Sequence, residues 1–235
     1  MPSADKGLMR SPSGIEYRLV LRKGMRSIRM RVTEPDGAIV VSAGMRRPRL
    51  EIDRFVDEHA GWVRKRRAEV AAKPRRFPAN YEDGDTFMLW GEPKVLRVRR
   101  AEVGRRSSEL QGDVLVVTVR PGDTPAEVEG VFATFLKREL SRALETVRPR
   151  CEHATGIECA SIEVRNMKTR WGSCTTTTGK IRVSLRLATY SPACLEMIVV
   201  HELTHIRYPA HDGAFYAFMD ERLPGWREAE KLLRE

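Results

Sequence analysis

Long apolar runs are missing from this chain. No stretch approaches the roughly 20 residues that cross a bilayer, so a membrane-spanning role is excluded as a reading. The opening residues, MPSADKGLMRSPSG, lack the apolar segment of an export signal, and the cytoplasm is the expected compartment. Cysteine is scarce. The four present (Cys151, Cys159, Cys174, Cys194) form no CxxC pair, which argues against a zinc knuckle. Without an export signal they read as reduced, small buried hydrophobes. Histidine is scarce too, yet three of only five fall in VVHELTHIRYPAHDGAF, residues 199–215.

What the chain does have is an ordinary globular composition, 41% hydrophobic and 31% charged. It also has a surplus of arginine, with a formal net charge of +10. Two stretches are dense in basic residues, VRKRRAEVAAKPRRF (63–77) and RVRRAEVGRRSSE (97–109). They point to weak, salt-sensitive and non-specific contact with nucleic acid, weighed against the plainer reading of solvated helix and hairpin faces. No recognised nucleic-acid module is present.

The predicted class is α+β. Residues 17–44 alternate apolar and polar side chains around the turn EPDG (34–37), and read as a meander of short antiparallel strands. A helix is expected next, with Leu50, Phe55, Val56, Trp62 and Val63 along its apolar face. FMLWGEPKVLRVRR and ELQGDVLVVTVR read as further strands. A long helix opens at Thr124 and Pro125 and buries Val128, Val131, Phe135 and Leu136. The composition shifts near residue 122, so the expected division is a β-rich region with one helix, 1–122, and a small domain, 123–235. No internal repeat is evident.

Ser191 and Pro192 open a helix that is apolar on most sides around Leu195, Ile198, Val199 and Val200, and therefore buried. His201 and His205 stand four apart on one face of it, close enough to share an ion. Glu202 is offset by about 100°. It is free to take a proton from water at that ion. Pro209 disfavours helix at Tyr208, so the helix should end near Arg207 and let His211 swing back as third ligand. Three imidazoles with one open position make a catalytic arrangement rather than a closed structural one. His59 and His153 carry no assigned role.

RNMKTRWGSC, GKIRVSLRL and VVHELTHIRYPAHDGAFY together resemble the YgjP-like family of predicted zinc metallopeptidases, relatives of the SprT-like and other HExxH (zincin) proteases. The likeness covers most of the chain and is softer in its N-terminal part. It implies a zincin-like domain, Zn2+ on His201, His205 and His211, Glu202 as general base, and protein or peptide substrates. The histidine spacing equals that of metzincins, but Tyr208 stands where they carry glycine. Glu221 and Glu228 are distant acids of the kind gluzincins use as a third ligand, and His211 fits the resembled family better. Zincins pair substrate with an edge strand, a role that falls here to part of 162–187. Arg170, Trp171, Ser173 and Tyr208 are the expected substrate-binding residues. For Arg170 and Trp171 the competing reading is an ion pair and a core position. Two other functions stay open: a nucleic-acid-associated SprT-like protease, and a non-catalytic binding module stapled by its metal.

Overall fold

In a computed structural model of the protein, residues 3–33, 36–72 and 75–234 are described. The contacts divide the chain into two compact units, Met1–Pro74 and Arg75–Glu235.

The first unit holds β1 (Ser3–Arg10), β2 (Glu16–Arg22), β3 (Arg29–Val32) and β4 (Ile39–Gly44), then α1 (Arg49–Glu58) and α2 (Ala60–Ala72). The strands lie in the order β1-β2-β4-β3. The outer pairs are antiparallel, but β2 and β4 run parallel, from Arg18 opposite Val40 to Arg22 opposite Gly44. The expected meander is therefore corrected. The most apolar strand, IVVSAG, takes a central place where both its neighbours shield it, and the arginine-bearing β3 is left at the edge. Ile39, Val41 and Ala43 of β4 meet Tyr17, Leu19, Ile52, Val56 and Val63 in one core. The Tyr17 hydroxyl donates to Asp53 at 2.6 Å, and Arg49 donates to the same carboxylate at 2.8 Å, so the buried acid is paired. His59 ends α1, and two helices replace the single one expected. Leu50, 77% exposed, and Trp62, 43% exposed, lie off the apolar face. The EPDG turn lies partly outside the described residues.

In the second unit β5 (Thr86–Leu89), β6 (Glu92–Arg100), β7 (Ser107–Gln111) and β8 (Val114–Val119) lie in the order β5-β6-β8-β7. Again the outer pairs are antiparallel and the middle pair parallel. The four-strand plan of the first unit thus recurs, a repeat that the residue pattern does not announce. α3 (Pro125–Thr155) follows, started by a capping box between Thr124 and Glu127 and closed by Gly156 in the left-handed conformation that glycine adopts freely. Its buried stripe runs Val128, Phe132, Phe135, Leu136, Leu140 and Leu144. Phe132, rather than Val131, is the buried member of its turn.

β9 (Ser161–Arg165), β10 (Gly172–Thr175) and β11 (Lys180–Ser184) make a second, three-stranded sheet in the order β10-β11-β9. After a 3-10 turn (Leu185–Thr189) come α4 (Pro192–Arg207), α5 (Gly213–Arg222) and α6 (Trp226–Arg234). One hydrophobic core runs from Phe87, Leu96 and Leu115 through Phe135 to Leu195 and Phe215. The composition shift near residue 122 is the turn between β8 and α3, inside this unit. Among the described residues no helix is long and apolar enough to cross a membrane. The four cysteines are free thiols, three of them buried.

Candidate metal centre and active site

α4 is held on nearly every side. Ser191 caps it by accepting from the Ala193 N–H, Pro192 sits in the first turn, and Cys194, Leu195, Val199, Val200 and Leu203 are buried. Between Cys194 and His205 all but Glu196, His201 and His205 are buried, and the two histidines, both half-buried, share one face. The helix ends at Arg207, with Tyr208 in an extended conformation ahead of Pro209, as the proline rule requires. The chain turns back, and the Asp212 side chain caps α5 by accepting from the Phe215 N–H at 3.0 Å. That cap fixes the limb bearing His211.

The three imidazoles converge. Nε2 of His201 lies 3.2 Å from Nε2 of His205 and 3.0 Å from Nε2 of His211, and the three ligand atoms are all within 4.8 Å of one another. Nitrogens about 2.0–2.1 Å from one ion at tetrahedral angles stand roughly 3.3 Å apart, so the donor set fits such an ion. Burial and the two neighbouring imidazoles push His201 down to about 4. Burial lowers His205 as well. Both are thereby kept neutral, the form that can ligate. Nδ1 of His205 lies 3.3 Å from the Tyr208 carbonyl oxygen, a partner that turns Nε2 toward the cluster.

Beneath the rings lies Phe215, fully buried, with its centroid 4.9, 4.8 and 4.7 Å from those of His201, His205 and His211. Sequence reasoning missed it. Its place four residues after His211 is the only local signal, and a helical phenylalanine is ordinarily just core.

Glu202 is 5% exposed, and burial pushes its carboxyl up to about 7 against the opposing effect of Arg170. The carboxylate has no hydrogen-bond partner among the described residues. The edge strand β10 closes on it: a Cβ added to Gly172 would lie 2.4 Å from Oε1 and 2.9 Å from Cδ and Cγ of Glu202. Gly172 was also missed, since in TRWGSC it reads as a turn residue rather than a close approach.

A cleft of about 460 Å³ opens over His201, Glu202 and His211. Arg170 and Trp171 line it on one side, and Tyr216, Trp226 and Leu233 also line it. Arg170 is exposed and has no ion-pair partner among the described residues. The Trp171 ring packs edge-on against Tyr190 at 5.0 Å, under the Arg186 guanidinium at 4.4 Å. Ser173 lies on β10 and Tyr208 against Phe218, and neither belongs to the cleft lining. Glu221 and Glu228 are outside the histidine cluster.

No curated protein matches this chain. Among solved structures, the crystal structure of the metallopeptidase zymogen of Pyrococcus abyssi abylysin is similar over 38% of this chain and 90% of that one. Identity is 18% and the TM-score 0.36, too low to carry an argument. The family comparison is much broader: the model of the YgjP-like metallopeptidase domain matches residues 26–235. Both its breadth and its coverage of the cleft agree with the geometry above, and the chain belongs to the YgjP-like metallopeptidase family.

Proposed function

We propose that this metallopeptidase is zinc-dependent and hydrolyses peptide bonds with Glu202 as general base. The observation that carries the reading is the convergence of three imidazole nitrogens beside a buried carboxylate with no hydrogen-bond partner among the described residues. His201, His205 and His211 would hold the ion, which when bound supplies Lewis acidity toward water and carbonyl oxygen. The remaining work belongs to side chains. Near neutral pH a carboxyl poised at about 7 can accept a proton from the attacking water and hand it to the leaving amine. Arg170, a cleft-lining cation with no ion-pair partner among the described residues, would receive a substrate carbonyl oxygen as negative charge develops on it. Trp171 shapes the wall beside it. An extended peptide would add to the free edge of β10, which narrows the strand expected within 162–187.

A metal staple without catalysis fits less well, because a structural site has no use for a buried carboxylate beside an open position. Reduced thiols suit the cytoplasm, the compartment we assign. The first unit, residues 1–74, would act as lid or tether, and its deletion separates the two: a lid suppresses activity, a tether does not. The decisive test is zinc content and cleavage of a denatured protein by the parent and by Glu202→Gln. The variant should keep its zinc and lose hydrolysis. A variant that cleaves as fast as the parent refutes the base assignment, and a chain that never carries metal refutes the site.

A further inference from the structure

Charge is unevenly divided. Residues 1–74 contain 17 Lys and Arg against 9 Asp and Glu, a net of +8, and residues 75–235 contain 25 against 23. Most of the basic stretch 97–109 is engaged internally. Arg97 pairs with Asp83, Arg99 donates to Thr118, Arg100 donates to the carbonyls of Arg120 and Asp123, and Arg106 grips Asp123 and Glu127. In α2, Arg66 pairs with Glu69 and Arg67 donates to the Gly37 carbonyl. The density of arginine in the sequence therefore marks internal ties as much as a binding face.

The free cations gather elsewhere. Where the β2–β3 loop meets the β4–α1 loop, a cleft of about 910 Å³ is lined by Lys23, Arg26, Arg46 and Arg47 and by no acidic residue. Its walls are built rather than loose. A Cβ on Gly44 would lie 2.2 Å from the Met25 carbonyl oxygen, so only glycine lets the two loops touch. Arg47 bridges them, donating to the Arg26 carbonyl and to Glu51 at 2.8 Å. Lys23, Arg26 and Arg46 are exposed, and their side chains have no ion-pair or hydrogen-bond partner among the described residues.

We propose that this cleft binds the phosphate backbone of nucleic acid. The proposal rests on the charge and shape of the first unit and is independent of the catalytic reading. Three unneutralised cations on a preformed concave wall suit several successive phosphates. No aromatic or amide side chain lines the cleft, so base stacking and base-edge contacts are not provided and little sequence preference is expected.

The test uses the full chain, a labelled mixed-sequence DNA duplex and its single strand, with anisotropy read across a salt series. Two double variants remove equal charge from different places: Lys23→Gln with Arg46→Gln, and Arg64→Gln with Lys65→Gln on α2. Each lost phosphate contact lowers the log–log salt slope by about 0.9. Between about 50 and 200 mM salt the parent should therefore lose roughly 12-fold more affinity than the cleft variant, and the α2 variant should follow the parent. Thermal melting verifies that both remain folded, as exposed polar positions allow. Equal loss in both variants would mean that net charge alone binds, which overturns the cleft. So would absence of binding at low salt, or binding to anionic phosphatidylserine vesicles without binding to DNA.

Discussion

Gly172→Ala should disable the enzyme by one methyl group. The added Cβ would lie 2.4 Å from Oε1 of Glu202 and 2.9 Å from two of its carbons, whereas carbon contacts are comfortable at about 3.5–4.0 Å. Either the carboxylate or β10 must retreat by about 1 Å. A displacement of that size at a reacting group costs roughly 100-fold in rate. The backbone of Gly172 is not in the left-handed region, so alanine is not disfavoured by φ and all of the strain comes from Glu202. Overpacking of this kind costs about 1–3 kcal/mol of stability, which leaves a folded protein to measure. The expected result is a kcat down about 100-fold with KM little changed and zinc content equal to that of the parent. Shortening the partner provides the control. Glu202→Asp in the Gly172→Ala background relieves the clash, so the two losses should combine to less than their product, and stability should recover. Parental rates and melting in Gly172→Ala would refute the contact, and loss of metal would show that the glycine shapes the ligand helix rather than the base.

Phe215→Ala should cost about 3–5 kcal/mol by thermal or denaturant melting, as for other large buried aromatics. It should also weaken zinc roughly 10–100-fold in a chelator competition, because the floor under three imidazoles is lost. Elemental analysis should find about one zinc per chain, and His205→Ala should remove it. Protons compete with zinc for imidazole. Depressed histidine values, about 4 for His201, therefore extend retention to pH below the ordinary 6.5, with release on further acidification. Release complete above pH 6.5 would contradict this. Asp123 is held at about 2 by the Arg106 guanidinium and the Arg120 N–H. A depressed carboxyl stabilises the fold above its ordinary 3.8, and that contribution disappears as pH falls toward 2. Asp123→Asn should lower the Tm at pH 7 and flatten its acid limb; an unchanged pH profile would show that the pair contributes nothing.

The histidine cluster was legible because its grammar is local. Histidines four apart, a proline that stops the helix and a third histidine just beyond it all lie within eleven residues of His201, and α4 obeys each rule. Gly172 and Phe215 were not legible for the opposite reason. Gly172 matters through a side chain thirty residues away, and no turn or periodicity rule reports such an approach. Strand order failed similarly. The alternation in 17–44 gives strands, but it does not say that β4 pairs with β2 as well as with β3, since the partner is chosen by the core. The internal ties of the arginines in 97–109 were not legible because density in sequence is blind to partners: Asp83, Asp123 and Glu127 lie far enough along the chain to escape a window reading.

The two halves of the candidate site are supported unequally, and this bears on how it would work. His201, Glu202 and His205 stand on a helix whose other faces are buried, with β10 against one side and Phe215 under the rings. Their relative positions are therefore fixed before any ligand arrives, which is what preorganised proton transfer requires. His211 stands on an exposed turn tied chiefly by the Asp212 cap and the contact of its ring with Phe215. The three ligand atoms already stand within 4.8 Å of one another, so an ion held by all three would tie that turn to α4 beside the part of the cleft that Tyr216 lines. His211, which lines the cleft as well, would then be the residue that joins an ion on the rigid helix to the cleft wall.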